Sequence, residues 1–344
     1  MTDRNRQAVG QVAIAQAAGV SLATVSNTIN RPEIVAEATR KKVQAAMTRL
    51  NFVPNEAAAS LRRGANRLVG LVVPDITNPF YAAIVEGAAA EADRHGYGIV
   101  LCNSQDDPAH ELKQLKLLGE LRTAGALIVP ITADHSRLAR LRELGTRLIL
   151  IDRTAAVQEG CSASIDDVLG GRLATQHLIA STNGGDLVLI NGPRSIPQCD
   201  DRHRGALAAL ADAGMDAERL HEFEVEDMTV RSGRQAVKKM LSTITPTAIF
   251  ATNDQLALGA IKELTTAGLS VPEDVVVIGY GDLAIAENAP VPLSTIEQPK
   301  VELGRAAVEM ILAEIRDKDH NEHRHSARVF QPRLVFRESA PRLN

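Results

Sequence analysis

Tryptophan is absent from this chain, and aromatic residues make up only 3% of it. Proteins that hold single strands or unpaired RNA stack bases on exposed rings, so this scarcity argues against both classes. Cysteine is scarce too: Cys102, Cys161 and Cys199 are an odd number, far apart, with no metal-ligand or redox spacing. Free thiols in a reducing cytoplasm, and no bound metal, are the expectation. No apolar run approaches the roughly 18–20 residues of a membrane span, so no membrane partner is expected. The polar start Met1-Thr2-Asp3-Arg4-Asn5-Arg6-Gln7 lacks an apolar h-region, and a secretory leader is not expected. A Walker loop, a glycine-rich dinucleotide fingerprint, a solenoid repeat and a Ser/His/Asp order are all missing. No catalytic residue and no cofactor are therefore expected.

What is present is a 344-residue chain, 45% hydrophobic and 23% charged, the composition of a soluble globular protein with room for two or three domains. The net charge of −4 conceals an asymmetry. Residues 1–67 carry ten Arg and Lys against four Asp and Glu, a balance of +6, which leaves −10 for the remainder. A basic head on an acidic body suits contact with phosphates at one end and repulsion elsewhere. Alone, it would equally describe a solvated basic face.

The basic end coincides with the run Ala18-Gly19-Val20-Ser21-Leu22-Ala23-Thr24-Val25-Ser26. Ala18 is small where two helices must approach, and Gly19 suits the φ > 0 residue that ends the first helix. Val20 is an apolar plug, and the Ser21 hydroxyl can cap a second helix. That helix would turn Val25 and Ile29 inward and Leu22, Ala23 and Asn27 outward. It reads as a helix-turn-helix able to enter the major groove, or more plainly as an ordinary helical hairpin. Helices are expected at about 11–18, 21–29 and 36–50, the third packing Val43, Ala46, Met47 and Leu50. Pro54 follows, then a stretch around 55–62 too short to hold as a helix alone.

From Leu68 the pattern changes to apolar strand runs alternating with helices, which implies parallel sheets with crossovers. A first series runs through Leu68–Val73, Ile99–Cys102, Ala126–Val129 and Leu148–Ile151, with a helix at about 137–144 among its crossovers. A second begins near Ser164. Two successive open α/β lobes set their ligand crevices at the C-terminal strand ends, facing each other.

With these motifs in order, the chain resembles the LacI/GalR family of bacterial transcription regulators over nearly its whole length. The likeness rests on Ala18-Gly19-Val20-Ser21 with Ala23-Thr24-Val25-Ser26, Val53-Pro54-Asn55 with Ser60-Leu61, and Val72-Val73-Pro74-Asp75-Ile76-Thr77-Asn78-Pro79-Phe80. Asn253-Asp254-Gln255-Leu256-Ala257-Leu258-Gly259 and Arg337-Glu338-Ser339 complete it. The resemblance implies an all-α helix-turn-helix head (1–52), a hinge helix (53–66) and an α/β core of two Rossmann-like, periplasmic-binding-protein-like lobes (67–344). Lobe one is expected at about 67–163 and 296–325, and lobe two at about 164–295 and 326–344.

By position, the resemblance makes Leu22, Ala23 and Asn27 base readers and Ser21, Thr24 and Ser26 phosphate contacts, acting in a homodimer on palindromic double-stranded operator DNA. In the hinge it assigns Leu61 as a minor-groove wedge, with Asn55 and Arg62 beside it. Asn27 stands where the family often has Arg or His; asparagine pairs with adenine, which implies an A·T pair there. Ala59 replaces a usual Arg, and Gly10 replaces a usual Thr cap.

For an effector between the lobes, the same carry-over selects Asn78, Phe80, Tyr81, Asp152, Arg153, Arg202, Asn253, Asp282 and Gln298. Gly281 stands where sugar binders usually have Asp, which would leave Arg153 and Arg202 short of a negative neighbour unless Asp282 swings in. Ribose or a related neutral sugar or nucleoside is the first expectation, and a sugar acid or sugar phosphate the second. A transport binding protein and an enzyme on the same fold are the rivals. His320, His323 and His325 form a His-rich stretch, expected to be a solvated loop rather than a metal site.

Overall fold

The structure is a computed structural model that describes residues 10–52, 66–132, 138, 146–154, 160–182, 185–317 and 323–342. Contacts divide it into two units, Met1–Arg67 and Leu68–Asn344.

In the head, α1 (Gln11–Ala18) ends at Gly19, whose φ of 66° turns the chain sharply. The Val20 N–H donates back to the Ala15 carbonyl, closing the turn. Ser21 then caps α2 (Leu22–Asn30), its hydroxyl accepting from the Thr24 N–H at 3.1 Å. The two helices meet at 107°, within the range of a helix-turn-helix. A third helix, α3 (Glu37–Arg49), closes a small core of Ile14, Ala15, Val25, Val43 and Ala46, with Val20, Ile29, Met47 and Leu50 packed around it. The packing faces expected for α2 and α3 are the ones observed. Gly10 precedes α1 without a side-chain cap.

The larger unit holds two six-stranded sheets. In lobe one the spatial order is β11 (Ala327–Phe330), β5 (Ser162–Ile165), β4 (Leu148–Ile151), β3 (Gly125–Ile128), β1 (Leu68–Val73) and β2 (Gly98–Asn103). In lobe two it is β12 (Arg333–Val335), β10 (Ser294–Glu297), β9 (Val276–Gly281), β8 (Ala248–Ala251), β6 (Leu187–Asn191) and β7 (Leu220–Glu224). All neighbours run parallel except β10 and β12. Helices α4 (Pro79–Arg94), α5 (Pro108–Glu120) and α11 (Lys300–Arg316) belong to lobe one's strands. The chain sets α6 (Asp167–Ser181), α7 (Pro197–Asp212), α8 (Val230–Met240), α9 (Asp254–Thr266) and the short α10 (Ala284–Glu287) among those of lobe two.

The chain passes between lobes three times, at 166, at 298–299 and at 331–332. This corrects the expected boundaries. Residues 164–165 finish a strand of lobe one, 296–297 finish one of lobe two, and β11 joins lobe one, so only the chain beyond it returns to lobe two. The Arg328–Phe336 run is therefore two strands in different sheets, separated by Gln331-Pro332. Of the helix expected at about 137–144, only Leu138 lies within the described residues.

Helix pairing sets up the site. A Cβ on Gly171 would sit 2.1 Å from the Arg202 carbonyl, and one on Gly205 would sit 2.0 Å from that of Val168. Only glycine at both places lets α6 and α7 come so close. That approach brings Asp167, first in α6, against Arg202 of α7.

Candidate functional site

A cavity of about 440 Å³ opens at the C-terminal strand ends between the lobes. Lobe one lines it from the turns after β1 (Asp75, Asn78, Phe80, Tyr81), β2 (Asp106) and β4 (Asp152). Lobe two contributes Gln198, Cys199 and Arg202 of α7, Asp227 to Thr229, Asn253, and Tyr280 and Gly281 at the end of β9. Gln298 enters from a crossing segment.

Asn78 caps α4, its Oδ1 accepting from the Phe80 N–H at 3.0 Å, and this aims the two rings of Phe80 and Tyr81. They meet edge to face, with centroids 5.2 Å apart. Asp152 sits in the left-handed region at φ 59°, a strained backbone for a side chain other than glycine. Gln198 donates through Nε2 to both its carbonyl (2.8 Å) and its Oδ2 (2.7 Å), which bridges the lobes. Burial pushes the Asp152 carboxyl up to about 7, and the nearby charge of Asp167 adds to this; Arg202, Arg153 and the Gln198 bond oppose it.

Arg202 is almost fully committed. Its Nε donates to Asp167 Oδ1 at 2.9 Å, its Nη1 to the Thr252 carbonyl at 2.8 Å, and its guanidinium lies 3.8 Å over the Tyr280 ring. The Tyr280 hydroxyl donates to the same Asp167 oxygen at 2.7 Å. Burial, the largest influence, would pull the guanidinium down; the negative neighbours together, Asp167 first among them and Asp152 with it, outweigh it and hold Arg202 charged. Arg153 is also buried, and burial lowers it against the opposing pull of Asp152.

Five buried polar atoms here have no hydrogen-bond partner among the described residues: Asp152 Oδ1, Arg153 Nε and Nη1, Gln198 Oε1 and Gln298 Nε2. Donors and acceptors are mixed, as a ligand bearing several hydroxyls requires.

The structure thus brings Asn78, Phe80, Tyr81, Asp152, Arg202, Asn253 and Gln298 to one cavity wall. Asn253 serves first as the cap of α9, accepting from the Leu256 N–H at 2.7 Å and donating to the Met228 carbonyl. Arg153 lies behind the wall. Asp282 is not on it: Arg337 donates to its Oδ1 at 2.7 Å, so it does not swing in to replace a missing carboxylate. Nor does Gly281, at φ 129°, offer a place for one without strain.

Two carboxylates were missed. Asp167 supplies the partner that Arg202 was expected to lack. Asp254, whose Oδ1 accepts from Thr295 and Oδ2 from the Leu283 N–H, lies buried beside Gly281. Burial raises it to about 6. Asp254 adjoins the cleft residue Asn253, the signal that could have found it, and the glycine pair joining α6 to α7 is the one that could have found Asp167.

In the head, Ser21, Leu22 and Ala23 are exposed, and Thr24, Ser26 and Asn27 are partly so. Leu22 is 48% exposed, unusual for a leucine in so small a core. Part of this surface is occupied internally: the Ser21 and Thr24 hydroxyls bond each other at 2.9 Å, and Asn30 donates to the Ser26 hydroxyl at 3.3 Å. Asn55, Leu61 and Arg62 lie outside the described residues.

Residues 66–337 match the family described as periplasmic binding proteins and sugar binding domain of LacI family, and residues 13–55 match the bacterial regulatory proteins, lacI family. The chain belongs to the LacI family. Among its relatives, the HTH-type transcriptional repressor PurR of Aliivibrio fischeri (strain MJ11) is 36% identical over 95% of this chain and 96% of that protein. The ribose operon repressor of Bacillus subtilis (strain 168) is 34% identical over 88% of this chain and 90% of that one. The lac repressor dimer bound to operator and the anti-inducer ONPF superposes with a TM-score of 0.86, 27% identity, and 98% of this chain and 100% of that chain covered. A LacI family regulator from Enterococcus faecium with bound ribose gives a TM-score of 0.71 at 26% identity, covering 80% of this chain and 100% of that one. As a LacI family member the chain is a DNA-binding transcriptional repressor with a ligand-binding core, not an enzyme. Repressors of this family act as dimers on operator DNA and answer to small molecules. No single helix among the described residues is long and apolar enough to cross a membrane.

Proposed function

We propose that the effector is a small neutral polyol, a pentose such as ribose or a nucleoside, rather than a sugar acid or sugar phosphate. The balance of charge on the cleft wall carries this reading. Among the described residues, Asp75, Asp106, Asp152 and Asp227 line the cavity against Arg202 alone among cations, and Arg202 is already paired with Asp167. An anion would meet several carboxylates and no uncommitted lining cation. Hydroxyls suit the unpartnered Asp152 Oδ1, Gln198 Oε1 and Gln298 Nε2 of the cavity lining, which mix acceptor and donor, and the face of a sugar or base suits Phe80 and Tyr81. The relative with bound ribose and the ribose operon repressor support the pentose. Calorimetry on the full chain with ribose, adenosine, gluconate and ribose 5-phosphate tests the reading. Binding is expected for one of the uncharged pair, and binding by the anions alone would overturn it.

In the head, α2 reads DNA through Leu22, Ala23 and Asn27, while Ser21, Thr24 and Ser26 position it on the backbone. Asn27 pairs with adenine. Operator selection with Asn27→Arg is expected to replace an A·T pair by G·C at one symmetric position, with about 1–3 kcal/mol of discrimination. An unchanged operator preference would remove Asn27 from base reading.

A further inference from the structure

Away from the cleft, residues distant in sequence converge at the opposite, N-terminal edge of lobe one's sheet. Cys161 immediately precedes β5 and Glu314 lies in the last turn of α11. His323 and His325 stand just before β11. One ligand atom from each of these four residues lies within 4.8 Å of every other. The expected solvated His-rich loop is thus absent here: the His323 side chain is only 10% exposed, and both rings turn onto Cys161. His320 lies outside the described residues.

We propose that Cys161, His323, His325 and Glu314 form a binding site for a divalent transition metal, with zinc as the ion. One thiolate, two imidazoles and a carboxylate are a donor set that zinc accepts with tetrahedral geometry. Metal bonds of about 2.3 Å to sulfur and 2.0–2.1 Å to nitrogen make a tetrahedral S···N edge of about 3.5 Å. Cys161 Sγ lies 3.3 Å from His323 Nε2 and 3.6 Å from His325 Nδ1. Those two separations bracket the tetrahedral edge.

A further contact points the same way. His323 donates through Nδ1 to Asp317 Oδ2 at 2.5 Å, which leaves Nε2 as the lone-pair nitrogen facing the sulfur. A carboxylate behind a histidine in this manner fixes the tautomer that a metal needs. The backbone also holds the donors in place without the ion. The Cys161 carbonyl accepts from the Leu150 N–H of β4, and the Ser162 N–H donates to the Ser326 carbonyl, so Ser326 falls beside Cys161 and His325 one residue before it. Arg147 Nε donates to the Glu314 carbonyl at 3.2 Å and fastens the end of α11. Cys161 and Glu314 are 2% and 6% exposed, so little water competes for the ion. On binding, the thiol gives its proton to solvent and the sulfur becomes a thiolate ligand. The ion would tie the end of α11 to the β5–β11 edge.

Cobalt titration of the chelator-treated full-length protein tests the site, because a thiolate bound to Co(II) gives a near-ultraviolet charge-transfer band. One equivalent is expected to raise that band together with tetrahedral visible bands, and zinc is expected to displace both. Cys161→Ser is expected to abolish the charge-transfer band, and His325→Ala to weaken zinc binding at least 100-fold. Asp317→Asn, which removes a half-exposed carboxylate and no ligand, is expected to weaken binding about 10- to 100-fold. That variant keeps the test open if Cys161→Ser fails to fold. Absence of any band in the wild-type chain, a band that survives Cys161→Ser, or zinc affinity indifferent to both His325→Ala and Asp317→Asn would each overturn the assignment.

Discussion

Replacing Asp167 by alanine is expected to destabilise the core by about 3–5 kcal/mol, measured by chemical denaturation of the full chain. The carboxylate is 4% exposed and Arg202 7%, so the substitution leaves a nearly buried guanidinium without its counter-ion. The Tyr280 hydroxyl loses its acceptor as well. Breaking a buried pair from one side is far costlier than replacing both members by apolar groups. The double change Asp167→Leu with Arg202→Met is therefore expected to recover much of the loss, and a double-mutant cycle gives the coupling. A single-mutant effect below about 1 kcal/mol, the range of an exposed pair, would contradict the burial. The same contact has a binding consequence. Asp167→Asn keeps the shape but leaves the Arg202 charge without its counter-ion, so affinity for gluconate is expected to rise.

Asp152 should make the core sensitive to pH. Its carboxyl rises from the ordinary carboxylate range when unfolded to about 7 when folded. Between those values the folded state binds the extra proton, so stability is greatest at low pH and falls as pH rises toward 7. The loss is on the order of a few kcal/mol, with Asp254 acting in the same direction over a narrower window. Ligand binding has the opposite sign. Hydroxyls donating to Asp152 Oδ1 favour the ionised form, so binding is expected to release a proton near pH 6–7 and to tighten as pH rises. Calorimetry in buffers of different ionisation enthalpy reads that proton directly. Asp152→Asn is expected to abolish the release and flatten the stability profile; proton uptake by the wild-type protein would contradict the arrangement.

The head was legible because its determinants are local. Gly19 and Ser21 each perform their role within four residues, and the apolar spacing of α2 and α3 is helical. Central strands were legible as buried apolar runs. The edge strand β7, Leu-His-Glu-Phe-Glu, went unread because its two apolar residues, Leu220 and Phe223, pack on opposite faces among polar neighbours and leave neither an apolar run nor an alternation. β11 was assigned to the wrong lobe because nothing in four residues states which sheet they will join. In the cleft, residues that follow strands were readable, since strand ends always point there. Asp167 and Asp254 also follow strands, β5 and β8, but their roles were not readable, because their partners lie 35 and 41 positions away and meet them only through packing. The separation of 162 positions between Cys161 and His323 is invisible to any spacing rule for the same reason.

The three lobe crossings differ in how freely they can turn. Pro299 follows Gln298 in the second, and Pro332 follows Gln331 in the third, so each has one backbone torsion fixed by a ring. Asp166 in the first has its N–H bonded to the Phe330 carbonyl, which couples that crossing to the third. Few independent torsions remain to separate the two sheets. The lobes would then swing about essentially one axis, and a molecule that ties Asp106, after the edge strand β2, to Asp227, after the edge strand β7, would act on the strands farthest from those crossings.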